Sequence, residues 1–282
     1  MKKILVPTDF SKPAEIATVV AGDIALKANA TVVLLHVIEQ RGEDSYNATG
    51  EALHDANWED KLFTLKLIEK SKQQLADVAA QLVDKGVAVH TEIKLGNPFH
   101  GMRTIITEAV VDLVVMGTSG RSKLEEMIIG SNTEKIIRHA SCPVLTVHQY
   151  PSDSSYKNIV YASALTEREK DFSKVLETTC SLFQSTVHLV RINTPGNFQP
   201  DHVTQKQLKD FISKTKLTNY TLNVFNDVSE EEGIIHFAES INADMIAMAT
   251  HGRKGFAHVL AGSIAEDVAN HASRPVLTYV VK

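Results

Sequence analysis

The chain has 282 residues, a formal net charge of -5 at pH 7 and a hydrophobic content of 43%. This length suffices for two domains, and the acidic balance argues against a dominant role on nucleic acid or anionic membranes, which requires a basic face. The opening residues lack the apolar run of a signal peptide, and no stretch approaches the ~18 apolar residues of a membrane span. The two cysteines, without a C-x-x-C spacing, predict core positions in a reducing compartment. We therefore expect a cytoplasmic protein.

The first 150 residues alternate between strand-like and helix-like segments. Strands are predicted over residues 4–7, 31–38, 87–94, 112–116 and 142–147, and helices over residues 14–28, 58–85, 99–110 and from 131 to about 139. This β-α-β alternation predicts a parallel sheet with helices on both faces and right-handed crossovers. The polar stretch 39–57 is predicted to be a mobile loop, either a lid over a site or a partner surface.

The second half of the chain repeats the first. Aligned without gaps, residues 120–146 and 252–278 share 12 identities in 27 positions, at an offset of 132. The first strand recurs at an offset of 155, from Ile4 to Ile159, so the second copy is 155 − 132 = 23 residues shorter before its glycine loop. We predict two tandem doubly wound α/β domains, residues 1–148 and 157–282, joined by a linker over 149–156.

The fourth predicted strand ends in a glycine-rich stretch. Its spacing is Gly117-x2-Gly120-x9-Gly130, with Ser131 next. Glycine lets the backbone approach a ligand closely, and a helix N-terminus offers unpaired N–H groups at the positive end of its dipole. Ligands of parallel sheets lie beyond the carboxyl ends of the strands, where the strand order reverses. If strands one and four are neighbours, Asp9 can accept from ribose hydroxyls while the glycine loop holds phosphates.

The same residues also have a purely structural interpretation. Ser131-x-x-Glu134 and Ser263-x-x-Glu266 are capping-box sequences, in which Ser and Glu satisfy the free N–H groups of a helix start. Neither half fits the Walker pattern or G-x-G-x-x-G. Arg121 could pair with phosphate or face solvent.

These features together resemble a tandem universal stress protein over essentially the whole chain. The resemblance is carried by residues 4–11, by the strand ending at 34–37, by the glycine spacing and by the Cys-Pro-Val-Leu run at 142–145. It implies the strand order 3-2-1-4-5 in each five-stranded sheet. Family members usually dimerise through strand five, which implies an intramolecular pseudo-dimer and leaves a homodimer of the whole chain open.

The resemblance to the ATP-binding branch implies a site for ATP, free or as its Mg complex, in the first domain. The backbone after the strand-two histidine would contact adenine, the strand-one aspartate the ribose, and the glycine loop the phosphates. The residues that this implies are Pro7, Thr8, Asp9, Val37, Met116, Gly117, Gly120, Arg121, Gly130, Ser131 and Asn132.

The second copy departs from this pattern. Asp9 aligns with Ala164 and Gly117 aligns with Ala249. Loss of a charge-assisted hydrogen bond alone costs about 1.5–3 kcal/mol. We therefore expect one competent nucleotide site and a degenerate second site. The same comparison predicts that Gly117→Ala weakens nucleotide binding without unfolding the chain.

The sequence thus favours a stress-response regulator that binds ATP in its first domain and acts as a nucleotide-dependent switch or adaptor for a protein partner. One alternative is a slow ATP hydrolase or adenylyl-transfer protein, although no base or nucleophile can be placed. Another is a structural adaptor whose glycine loops are only caps. The 12 histidines include no H-x-x-x-H or H-E-x-x-H, so no metal site is expected.

Overall fold

A computed structural model describes residues 1–39, 58–118, 130–150, 155–251 and 264–281. The proposed lid or partner surface therefore lies almost wholly outside the described residues, as do most of the glycine loop and residues 151–154 of the linker. The first half contains β1 (Lys3–Pro7), α1 (Lys12–Ala28), β2 (Thr31–Ile38), α2 (Trp58–Val83), β3 (Ala88–Leu95), α3 (Pro98–Glu108), β4 (Leu113–Gly117), α4 (Ser131–His139) and β5 (Val144–Val147).

The second half follows the same order. It contains β6 (Asn158–Ala162), α5 (Lys170–Phe183), β7 (Thr186–Asn193), α6 (Asp201–Ile212), β8 (Tyr220–Asn226), α7 (Glu230–Ser240), β9 (Met245–His251), α8 (Ile264–His271) and β10 (Val276–Val281). A single 3₁₀ turn, Glu167–Glu169, precedes α5. Within the described residues, no helix combines the length and apolar composition needed to cross a lipid bilayer.

All ten strands belong to one sheet, in the order β3-β2-β1-β4-β5-β10-β9-β6-β7-β8. Each half has the order 3-2-1-4-5, which confirms the predicted fold. Pairing within each half is parallel, whereas β5 and β10 pair antiparallel, with Leu145 opposite Leu277. The two halves are therefore joined through their fifth strands, as the resemblance implied.

Helices cover both faces of the sheet, and alternate strand residues supply two apolar layers. In β1, Ile4 and Val6 point into a core shared with α1, α2, α5 and α6. Leu5 points into a second core shared with α3, α4, α7 and α8. This burial on both faces explains why the strands are apolar almost throughout.

The duplication extends to backbone geometry that ordinary residues seldom adopt. A positive φ is uncommon for a residue with a side chain, yet three such positions recur at the offsets of 155 or 132 found in the sequence. Because the residue types differ between the copies, the turn geometry itself is what repeats. The pairs are Phe10 (62°) and Leu165 (60°), Asn29 (49°) and Gln184 (54°), and Val110 (51°) and Asn242 (49°).

Candidate functional site

The carboxyl ends of β1 and β4 lie side by side, as the site prediction required. Ile4 lies opposite Leu113, and Leu5 lies opposite Val114. On its other edge β1 pairs with β2. After β1 the chain adds β2 and β3 on one side, and it then crosses to β4 on the other side of β1. The carboxyl ends of β1 and β4 therefore form a topological switch point.

The turn after β1 is held by backbone hydrogen bonds and carries an exposed acid. Thr8 is buried; its N–H donates to the Leu35 carbonyl (2.8 Å), and its hydroxyl accepts from the N–H of Phe10 (3.0 Å). Asp9 is exposed, and its Oδ1 accepts from the N–H of Ser11 at 3.0 Å. Within the described residues no donor reaches Oδ2. Asp9 therefore presents a fixed carboxylate with one oxygen available to a ligand.

His36 fixes the same turn from β2, a role that sequence reasoning missed. Its Nδ1 lies 2.8 Å from the carbonyl oxygen of Thr8, which can only accept, so Nδ1 is the donor. The ring also packs on Phe10, with centroids 4.6 Å apart. A lone histidine in an otherwise apolar strand was the available signal. His36 positions the segment that carries Asp9.

Val37 lies at the same edge, next to the last residue of β2. Its side chain packs against α3, where a Cβ on Gly101 would lie only 3.0 Å from the Val37 Cγ2 atom. The side chain is therefore committed to packing. Only its backbone is placed to serve the adenine contact implied by the resemblance.

Gly117 has a packing role in addition to the expected binding role. A Cβ at this position would lie 2.1 Å from the carbonyl oxygen and 2.3 Å from the carbonyl carbon of Pro13, in the first turn of α1. The missing side chain thus makes room for α1, so we expect Gly117→Ala to lower stability as well as to weaken nucleotide binding. In the second half the chain forms a 3₁₀ turn before α5 begins at Lys170, and Ala249 takes the glycine's place.

The start of α4 also corrects a prediction. Gly130, not Ser131, is the N-cap residue; its backbone is extended and, as a glycine, it has no side chain with which to cap the helix. Glu134 does not reach back to the helix start but binds Arg138 (2.6 Å), so the capping box is absent. Within the described residues, the N–H groups of Ser131 and Asn132 find no acceptor. Such a helix start is suited to an anion.

The remaining predicted site residues fall into three groups. Pro7 ends β1, opposite Leu35 in β2, and lies at the same edge. Met116 is buried between the sheet and α3 and α4, so only its backbone remains available. Gly120 and Arg121 lie outside the described residues. Among the residues that are described, no three His, Cys, Asp or Glu side chains could together hold a metal ion.

Both cysteines are free, Cys142 buried and Cys180 half-buried. Burial raises the pKa of Cys142 to about 12 and that of Cys180 to about 11. Thiols that stay protonated are poor nucleophiles. These residues are core components, as predicted.

The second half keeps the turn but not the acid. The N–H of Ser163 donates to the Val190 carbonyl (3.3 Å), and the Ser163 hydroxyl accepts from the N–H of Leu165 (2.9 Å). These bonds repeat those of Thr8 at an offset of 155. Ala164, at the position of Asp9, supplies no carboxylate.

A buried carboxylate instead lies within this turn. Glu169 is 1% exposed and accepts from the Ser163 hydroxyl (2.6 Å), the Tyr161 hydroxyl (2.9 Å) and the N–H of Thr166 (3.1 Å). The last of these donors corresponds to the N–H that binds Asp9 in the first half. The acid has therefore moved from the exposed edge into the core.

The duplicated, doubly wound sheet defines a class of α/β protein, and comparison with known proteins gives the family. The universal stress protein family matches residues 1–148 and 224–280, and the chain belongs to this family. A universal stress protein of Methanocaldococcus jannaschii is 36% identical over 154 residues, which is 52% of this chain and 94% of the relative.

Solved structures match both halves together. A universal stress protein from Archaeoglobus fulgidus has a TM-score of 0.79 at 17% identity, over 99% of this chain and 98% of that one. One from Pseudomonas aeruginosa has a TM-score of 0.69 at 16% identity, over 100% of this chain and 94% of that one. At these identities the likeness supports the fold of the tandem arrangement.

Proposed function

We propose that this protein is a stress-response regulator that binds ATP, free or as its Mg complex, at the carboxyl edge of β1 and β4. Occupancy of the site would act as a switch or adaptor signal for a protein partner. The stress role rests on family membership alone.

The observation that carries the ATP proposal is the start of α4 at the same edge of the sheet as the exposed Asp9. The N–H groups of Ser131 and Asn132 have no acceptor among the described residues and, reinforced by the helix dipole, suit phosphate oxygens. The available oxygen of Asp9 suits a ribose hydroxyl, which donates to a carboxylate in a charge-assisted hydrogen bond. A ligand with both groups fits this edge better than phosphate alone.

We further propose one ATP site per chain. The second half has Ala164 in place of Asp9, and Glu169 places a carboxylate inside the equivalent turn. The buried Glu169 carboxylate already accepts from four donors, so these donors are unavailable to a ligand, and its charge repels phosphate.

The sharpest test is Asp9→Asn in the full chain, measured by calorimetric titration with ATP. An amide oxygen can still accept from the N–H of Ser11, so the turn is preserved while the charge is lost. We expect ATP affinity to fall about 10- to 100-fold. Asp84→Asn is the matched control, because Asp84 is equally exposed but follows α2, at the opposite edge of the sheet.

The wild-type titration should saturate at one ATP per chain. Two equivalent sites, or unchanged affinity in Asp9→Asn, would contradict the proposal. Absence of ATP binding by the wild-type chain would instead support the structural adaptor.

A further inference from the structure

A hydrogen-bond chain through His148 joins the edge of the first domain to the second domain. His148 directly follows β5, and its ring is half-buried where the two halves meet. Its Nδ1 lies 2.5 Å from the hydroxyl oxygen of Thr118. Its Nε2 lies 2.8 Å from the carbonyl oxygen of Ala269, in the last turn of α8.

The partners of the ring fix its tautomer. The Ala269 carbonyl can only accept, so Nε2 carries the proton and Nδ1 of the neutral ring is an acceptor. The Thr118 hydroxyl oxygen lies 2.5 Å from Nδ1 and 3.3 Å from the Val147 carbonyl oxygen, so its proton is assigned to the shorter bond, to Nδ1. Burial lowers the pKa of His148, which favours this neutral form. Because Thr118 is 1% exposed, a substrate cannot reach its hydroxyl. The pair therefore holds structure in place and is not a nucleophile with its base.

Thr118 is the residue at which the chain leaves β4. It follows Gly117, and its N–H donates to the Val147 carbonyl at 3.0 Å. In the sequence it immediately precedes the glycine segment that leads to Gly130, the N-cap of α4. The hydrogen bond to His148 therefore anchors the carboxyl end of β4, at the edge where we propose that ATP binds.

The second half provides an internal reference without the histidine. Thr250 corresponds to Thr118, and Val280 corresponds to His148, both at the offset of 132. The Thr250 hydroxyl is buried and has no hydrogen-bond partner within the described residues. The hydrogen bonds through His148 are thus a feature of the half that carries Asp9 and have no equivalent at Val280.

We propose that His148 is a positioning residue that couples nucleotide binding in the first domain to α8 of the second, an inference that rests on the proposed ATP site. The ring holds Thr118 on one side and Ala269 on the other. ATP held at the carboxyl ends of β1 and β4 restrains Thr118, and through His148 this restraint strengthens the contact with α8. By thermodynamic linkage, that contact in turn raises the affinity for ATP.

The test uses the full chain with the variants Thr118→Val and His148→Val, the second of which copies Val280. Calorimetric titration should show ATP affinity about 3- to 10-fold lower in Thr118→Val, and at least as low in His148→Val, which loses the bonds to both Thr118 and Ala269. The free-energy loss in the double variant should be smaller than the sum of the two single losses, because both single variants remove the bond between Thr118 and His148. Thr250→Val is the matched control and should leave ATP affinity unchanged, since its hydroxyl has no partner among the described residues.

Hydrogen exchange of the α8 amides, with and without ATP, tests the coupling itself. ATP should slow this exchange in the wild-type chain and not in His148→Val. His148→Asn retains an acceptor near the Nδ1 position and loses the donor to Ala269, so it should lose the effect on α8 and, by the same linkage, bind ATP more weakly than the wild-type chain, though less weakly than His148→Val. It also carries the test if His148→Val fails to fold.

The outcomes separate the two proposals. The coupling alone would be overturned if the wild-type chain binds ATP, if His148→Val binds it with the same affinity, and if ATP slows exchange of the α8 amides equally in both. A wild-type chain that does not bind ATP would overturn the proposed site, and the coupling with it.

Discussion

At the scale of single residues, Gly117 shows what a glycine pattern does and does not convey. The spacing in the sequence indicates that no side chain fits at this position. It does not indicate which neighbour excludes the side chain. In the structure that neighbour is the backbone of Pro13, 104 positions earlier in the chain, so the glycine joins β4 to the start of α1.

This contact predicts the effect of Gly117→Ala on stability. The Pro13 carbonyl must move to admit the methyl group, so the free energy of unfolding should fall by about 1–3 kcal/mol, as for other overpacked sites. Chemical denaturation measures this directly. Gly196→Ala is the control, since a Cβ there meets nothing within 4 Å, and an equal loss in both variants would contradict the explanation.

His148 and Glu169 show a second limit at this scale. Both positions differ between the copies, and an alignment of the two halves reveals the difference. Its meaning depends on partners that only the fold brings together, such as the carbonyl of Ala269 and the hydroxyl of Tyr161. Sequence comparison could therefore have marked these positions, but not assigned their roles.

At the scale of elements, α4 was predicted within its correct bounds but with the wrong cap. A capping box needs Ser at the extended N-cap position. Gly130 occupies that position with ψ 143°, which moves Ser131 into the first helical turn. Glu134, the capping acid predicted for α4, binds Arg138 instead, and Glu266 of α8 also binds Arg138.

The pair of Arg138 and Glu266 fastens α4 to α8 across the two halves. Two guanidinium nitrogens of Arg138 donate to the carboxylate of Glu266, and the Glu266 side chain is 4% exposed. This hydrogen bonding raises the pKa of Arg138. Removal of the arginine would leave a buried charge without its partner, which is more costly than loss of a surface pair.

We predict that Arg138→Met lowers the free energy of unfolding by about 3 kcal/mol, measured by urea denaturation. Arg138→Met combined with Glu266→Gln should recover part of the loss, because the buried charge is then also removed. The control is Lys174→Met, which breaks an exposed pair with Asp171 and should cost less than about 1 kcal/mol. Equal effects at the two sites would refute this account.

At the scale of the whole molecule, the parallel α/β class and the duplication were predictable because both depend on patterns that run along the chain, whereas the strand order was predicted from the family resemblance. Apolar strands alternating with helices fix the class of sheet, and the 12 shared identities fix the repeat. The junction of the halves was less predictable. The resemblance predicted that the fifth strands form this junction, but it did not predict how the side chains pack around them.

That packing leaves a cavity of about 200 Å³ between α1 and α5, beside the paired strands. Ile24 from α1 and Thr179 from α5, which correspond at the offset of 155, both line it. Leu145 and Leu277 form part of the same wall. The smaller threonine on the second side contributes to the unfilled space.

Thr179→Ile should fill part of this cavity and raise the free energy of unfolding by about 1 kcal/mol, measured by thermal denaturation. The Thr179 hydroxyl bonds only back to the Val175 carbonyl of its own helix, so its loss is tolerable. Thr107→Ile is the control, because Thr107 makes the same kind of bond to Arg103 but is exposed. Equal changes in both variants would argue against cavity filling.

The second half has no arginine equivalent to Arg138. At the offset of 132 the corresponding residue is Asn270. A two-fold homodimer must present the same surface on both subunits, so every contact is made twice. In one continuous chain the two halves need not be identical, so each half can carry different residues at the contact between them. Two copies of the second half alone would bring two Glu266 carboxylates together without a guanidinium, so this half has become dependent on the other.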